Sequence, residues 1–282
     1  MKPLLFCLGI TAALGLGGCE DVVNLSVPRT APLLVVDGAV TDQPGPYVVK
    51  LTSTAPYFEN QATPPVTGAQ LTLASSDGQR ETLREQRPGV YVSGGTVRGR
   101  IGGRYTLTID AAGEHYRAET ELRRPLPIDS LRAEYHRNGE PTYTRDGYYI
   151  FYYGQEQAGK GDYVRFKVFR NGVLRNEPAD LQVRSDELVD GTYFRGLNLT
   201  PNPNRGGAFA KGDRVRVAVE ALTADNYYFL NELRIQLNNS GLFAPPPANA
   251  RTNVRNLDAN SPYRAVGYFA GYTVRTDSLV IQ

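Results

Sequence analysis

The chain has 282 residues, with 31 Lys and Arg against 29 Asp and Glu and a formal charge of +2 at pH 7. So small a charge sets up no global field to gather nucleic acid or anionic lipid, which argues against both as main partners. Both cysteines, Cys7 and Cys19, lie near the start, so the rest of the chain can hold neither a disulfide nor a thiolate-bound metal and must be stabilised by core burial. Trp is absent while Tyr, at 18 residues, is abundant, a balance that favours strands and tight turns.

Lys2 precedes an apolar run from Leu4 to Leu16, and Gly17-Gly18-Cys19 follows it. One positive charge ahead of a short apolar segment is the layout of a secretory signal, and small residues directly before a cysteine form a lipoprotein cleavage site. The apolar run is also shorter than the roughly 20 residues a bilayer span needs. Residues 1–18 are therefore expected to be removed as a lipoprotein signal peptide. Cys19 is then the acylated N-terminus that holds the chain on a membrane. Residues 19–32 carry two prolines and no sustained periodicity, and read as a lipidated tether that could extend roughly 40 Å. The 264 residues left after cleavage exceed what one core usually serves, which suggests two domains.

Residues 33–124 read as short strands. Leu33, Leu34, Val35 and Val36 form a continuous apolar run. Tyr47, Val49 and Leu51 then alternate with polar or outward positions, as do Leu71 and Leu73, Val90 and Val92, Tyr105, Leu107 and Ile109, and Tyr116 and Ala118. Glu81 to Leu83 is a weaker candidate, and turn signals such as Ser76-Asp77-Gly78 and Arg87-Pro88-Gly89 separate the runs. About seven strands in about ninety residues predict an immunoglobulin-like or fibronectin-like β-sandwich.

Arg123-Arg124-Pro125-Leu126-Pro127 breaks the pattern, and the two prolines place a domain boundary and a protease-sensitive linker there. Residues 125–282 are expected to form a second β-rich domain. Its strands lie around Leu131 to Tyr135, Tyr148 to Tyr153, Val164 to Val168, Tyr193 to Leu199 and Val215 to Val219, with a hairpin turn at Asn171-Gly172. Tyr227, Leu230, Leu233 and Leu237 recur at helical spacing and predict one helix near residues 224–239. Residues 243–260 read as a loop, and three short strands near Val266, Tyr272 and Leu279 close the chain.

At this point the residues resemble a known family. Leu33-Leu34-Val35-Val36-Asp37-Gly38, then Pro44-Gly45-Pro46-Tyr47 and Thr54-Ala55-Pro56-Tyr57-Phe58, are similar to the N-terminal hallmark of the DUF4249 lipoproteins of Bacteroidetes. Pro127-Ile128-Asp129-Ser130-Leu131, Asp146-Gly147-Tyr148-Tyr149 and Gly267-Tyr268-Phe269 match its later landmarks in order. The resemblance implies an outer-membrane lipoprotein, often encoded beside a TonB-dependent transporter, with no established activity and no catalytic residues to carry over. Glu20-Asp21 resembles a weak form of the acidic signal for export to the cell surface in such lipoproteins, with the periplasmic face as the other location. Asp129-Ser130-Leu131 and Asp277-Ser278-Leu279 resemble the O-glycosylation motif of exported Bacteroidetes proteins, which makes Ser130 and Ser278 candidate sites.

The residues carry little catalytic signal. His115 and His136 fall on the expected solvent face of strands, and no nucleophile elbow accompanies them. The glycines from Gly94 to Gly103 read as turn formers, since no helix follows them to complete a phosphate cradle. Asp186, Glu187 and Asp190 are weak candidates for calcium ligands and do not fit an EF-hand spacing. Tyr148, Tyr149, Tyr152 and Tyr153 point alternately to the two faces of one strand, so one pair is a candidate contact surface unless both faces are covered. Together these features predict a non-enzymatic binding or accessory subunit without a cofactor, and the family resemblance implies that it serves a TonB-dependent transporter in nutrient uptake. A surface adhesin or matrix-contact lipoprotein is the alternative.

Overall fold

Alternation of buried and open positions builds the first layers. In a computed structural model of the protein, residues 31–55, 62–202, 207–239 and 248–282 are described. The expected signal peptide, Cys19 and the tether as far as Thr30 lie outside them. Strands β1 (Leu34–Thr41), β2 (Val48–Ser53), β3 (Gln70–Ser75), β4 (Arg80–Arg87), β5 (Val90–Val92), β6 (Arg104–Ala111) and β7 (Glu114–Glu121) lie where the apolar run at Leu33 to Val36, the period of two and the weaker candidate at Glu81 to Leu83 placed them. Along β6, Tyr105, Leu107, Ile109 and Ala111 are buried and the residues between them are more open. The first half of β4 pairs with β3 and its second half with β5, so one strand passes from sheet to sheet. The inward residues of both sheets, among them Val36, Leu51, Tyr91, Leu73, Leu107 and Ile109, meet in one core. This is the two-layer arrangement of an immunoglobulin- or fibronectin-like sandwich.

A second sandwich follows. One layer is β8 (Ser130–His136), β9 (Gly147–Gln155) and β13 (Tyr193–Asn198), with β9 in the middle. The facing layer is built on β10 (Tyr163–Arg170) and β14 (Arg214–Leu222), with β11 (Val173–Leu174) and β12 (Gln182–Ser185) both paired to β10. Ile150 and Tyr152 from the first layer pack on Phe166, Val168, Val217 and Val219 of the second. Asn171 and Gly172 take φ of 52° and 84°, the left-handed pair that the β10–β11 turn requires. The protein is thus mainly β, with one α-helix, α1 (Ala224–Leu237), among the described residues.

Four expectations change. The end of the chain is not three strands but one, β16 (Ala265–Val280). Its first half runs parallel to β1 and its second half antiparallel to β14. Sixteen residues of strand span roughly 50 Å, enough to serve both sandwiches. Gly267 and Gly271 within it are points of close backbone approach, since a Cβ there would lie 2.1 Å from the Val36 oxygen and 2.5 Å from the Glu121 oxygen. The loop at 243–260 contains a further strand, β15 (Val254–Asn256), paired with β7. Val254, Ala265 and Phe269 therefore belong to the first core. The two cores part between Leu122 and Leu126, yet the chain crosses that line again at its end.

Nor is the linker at 123–127 loose. The Arg123 carbonyl accepts from Thr273 Oγ1, the Pro127 carbonyl accepts from the Tyr152 hydroxyl at 2.6 Å, and Leu126 is buried. Arg124 donates to Asp162 and to the carbonyls of Gln157, Ala158 and Gly159. Backbone held this way resists the local opening a protease needs. Trypsin is expected to cut the native protein first in the tether, at Arg29, and to spare the bond after Arg123. Mass spectrometry of the earliest fragments checks this, and an early cut at Arg123 would show that the anchoring fails in solution.

The helix also turns a different face inward. Thr223 caps it, its Oγ1 accepting from the Asn226 amide at 3.2 Å. Asn226 and Leu230 are its buried residues, with Leu230 packed on Val183 and Leu222, while Leu233 is half-buried and Leu237 is 50% exposed. A charge at Leu233 therefore costs less than it would on a fully buried seam.

Candidate functional site

The tertiary structure gathers polar groups at one end of the second sandwich. Two loops meet there, residues 156–162 between β9 and β10 and residues 186–192 between β12 and β13. Gly159, Gly161 and Gly191 have φ of 112°, 109° and 69°, which lets backbone amides point at nearby carboxylates. Asp186 Oδ2 accepts from the amides of Gly161 at 2.8 Å and Asp162 at 3.0 Å. Asp190 Oδ1 accepts from Gly159 at 2.7 Å, and Glu156 Oε2 accepts from Gly191. The carboxylates thus clasp each loop to the other.

One oxygen from each of Glu156, Asp186 and Asp190 lies within 4.8 Å of the other two. Glu156 is only 4% exposed, and its Oε1 is buried with no hydrogen-bond partner. Burial pushes the Glu156 carboxyl above the usual range, and the nearby Asp162 and Asp186 push it further, against the Gly191 amide. Arg124 forms an ion pair with Asp162 at 2.5 Å, which holds its guanidinium more firmly protonated. Of the weak calcium candidates, Asp186 and Asp190 come together. Glu187 is exposed and not part of the cluster, and its place is taken by Glu156. No sequence spacing singles out Glu156, which lies thirty residues before Asp186 and joins it only through the fold.

Beside the cluster lies a cavity of about 350 Å³. Its apolar wall includes Leu126, Val164, Phe166, Phe194 and Leu197, and its polar rim includes Arg124, Glu156, Asp162 and Asp186. An apolar hollow with a few fixed polar groups at its edge is the usual form of a small-molecule site.

The tyrosine surface is reduced. Tyr149 and Tyr152 are 2% and 0% exposed and so are interior groups, because β9 is covered on both faces at these positions, while its outward face opens toward Tyr153 and Gln155. Tyr152 faces the second core, while Tyr149 packs edge-on to Tyr143 and His136. Tyr148 and Tyr153 are half-buried, and Arg132 lies over the Tyr153 ring at 4.7 Å. Ser130 is half-buried at the start of β8, and Ser278 is exposed within β16.

His115 is exposed, 2.5 Å from an Asp110 oxygen. His136 is not on an open face as expected. Its ring stacks on Tyr143 at 3.7 Å between centroids, and its Nδ1 is 2.8 Å from a Glu140 oxygen. The amides of Gly94, Thr96 and Val97, which a phosphate would need, are bonded to the Glu81 carboxylate.

No curated protein matches the chain. Among solved structures, a segment of two fibronectin type III domains from chicken tenascin aligns at 13% identity with a TM-score of 0.20, over 68% of this chain and 91% of that one. So low a score adds nothing to the architecture described above. The family described as a domain of unknown function, DUF4249, matches residues 20–278. By a match over nearly its whole length, this chain belongs to the DUF4249 family.

Proposed function

We propose that this protein is a lipid-anchored, non-enzymatic binding or accessory subunit of the outer membrane that works beside a TonB-dependent transporter. The observation that carries the reading is Gly17-Gly18-Cys19 behind a short apolar leader. A lipid on Cys19 keeps the body within roughly 40 Å of the membrane, which raises its effective concentration near any barrel in the same leaflet and makes modest contacts sufficient. The cavity beside Arg124 offers a place for a small apolar cargo. The outward face of β8, β9 and β13 offers a contact surface, with Tyr153 half-buried and Tyr193 38% exposed beside Arg132 and Arg195.

Cys19→Ala is expected to accumulate as uncleaved precursor. Gentle detergent extraction of the full lipidated chain, followed by affinity capture, is expected to recover a barrel of transporter size. The double change Tyr153→Ala with Tyr193→Ala should weaken capture at least about tenfold without unfolding the body, as read by circular dichroism. If the protein is captured alone in repeated trials and its deletion leaves uptake unchanged, the adhesin reading takes its place.

A further inference from the structure

We propose that Glu156, Asp186 and Asp190 bind a calcium ion that locks the loop after β9 to the loop after β12. The proposal does not depend on the transporter reading. Calcium takes oxygen ligands at 2.3–2.6 Å, so two oxygens on one ion lie up to roughly 5 Å apart. The three carboxylate oxygens, all within 4.8 Å of one another, satisfy that limit.

Charge clustering alone would not assign a ligand, since backbone amides can hold exposed acids together. The group that points to one is Glu156. It is 96% removed from solvent, given its 4% exposure, and Oε1 has no donor. A carboxylate oxygen buried without a partner is costly, and a cation beside it supplies the missing partner. The donor set is all oxygen, without His or Cys, which suits a hard cation. Asp190 is exposed, so the ion has a route in and waters can complete a shell of six to eight ligands. Arg124, a positive group beside the cluster, is committed to Asp162 and three carbonyls.

A proton is the other species that could relieve Glu156. Burial raises the Glu156 pKa, and the nearby Asp162 and Asp186 raise it further. The two solutions differ in what they take from the medium. A proton needs no metal, and calcium needs both Glu156 and Asp190.

The test uses the full lipidated chain in detergent, treated with chelator and titrated with calcium alone or magnesium alone. Calorimetric titration is expected to give one calcium per chain, and millimolar calcium should raise the melting temperature by about 3 °C or more. Asp190→Asn, at an exposed position that leaves the fold intact, should weaken calcium binding at least about tenfold, as should Glu156→Gln. Absence of calcium binding at 5 mM, on the order of the weakest natural calcium sites, overturns the proposal. An equal response to magnesium, or calcium binding unchanged in both variants, overturns it as well.

Discussion

Glu220→Gln is expected to lower stability by about 3–5 kcal/mol. Glu220 lies on β14 opposite Arg165 of β10, on the face of that sheet turned away from the second core. Its side chain is 8% exposed, and it pairs with Arg165 and, at 2.8 Å, with Lys167. Arg165 is itself 14% exposed and sits 4.9 Å from the centre of the Tyr272 ring. Gln keeps the shape but removes the charge, so two cations remain in a poorly solvated layer. Chemical denaturation should show a lower midpoint with an unchanged slope. Replacing all three residues by apolar ones of similar size should cost much less, because no charge is then stranded.

The same residue gives a pH signature. Burial alone would raise the Glu220 pKa, but Arg165 and Lys167 overcome it and hold the carboxyl below its ordinary value of 4.5. A depressed folded pKa contributes stability above the unfolded value, and that contribution is lost as pH falls through the folded one. Wild-type stability should therefore drop on acidification below pH 4.5 more steeply than that of Glu220→Gln. Parallel acid profiles would show that the pair is not coupled to folding.

Gly267→Ala is expected to cost at least about 3 kcal/mol, from strain in the backbone and a clash across strands. Gly267 has φ of +84°, and an added Cβ would stand 2.1 Å from the carbonyl oxygen of Val36, its partner on β1. Gly113→Ala is the control. It has the same φ of +84° but nothing within 4 Å of the added carbon, so it should show only the conformational part, about 1–2 kcal/mol. The excess at Gly267 measures the forced separation of β1 from β16. Because β16 pairs with both β1 and β14, the two cores are expected to melt together in one calorimetric transition. Separate transitions would show that the long strand does not couple them.

Local pattern determined much of this protein. The seven strands from β1 to β7, the β10–β11 turn at Asn171-Gly172 and the position of α1 were all legible, because each rests on neighbours in the chain: an apolar run, alternation, left-handed turn residues or apolar residues at helical spacing. The near-neutral charge and the cysteine-free body are likewise matters of composition. Arg165 and Lys167 kept the alternation of β10 but gave no sign that their face would be covered, since a buried ion pair and a solvated one read alike in one strand. Tyr149 and Tyr152 show the same limit, because period two assigns sides and cannot say which sides acquire a second layer. Only the tertiary structure decided that β16 joins both sandwiches and that Glu156 meets Asp186 and Asp190. Both facts depend on long-range pairing, in which residues far apart in the chain become neighbours through the burial of a core that no local segment can form alone.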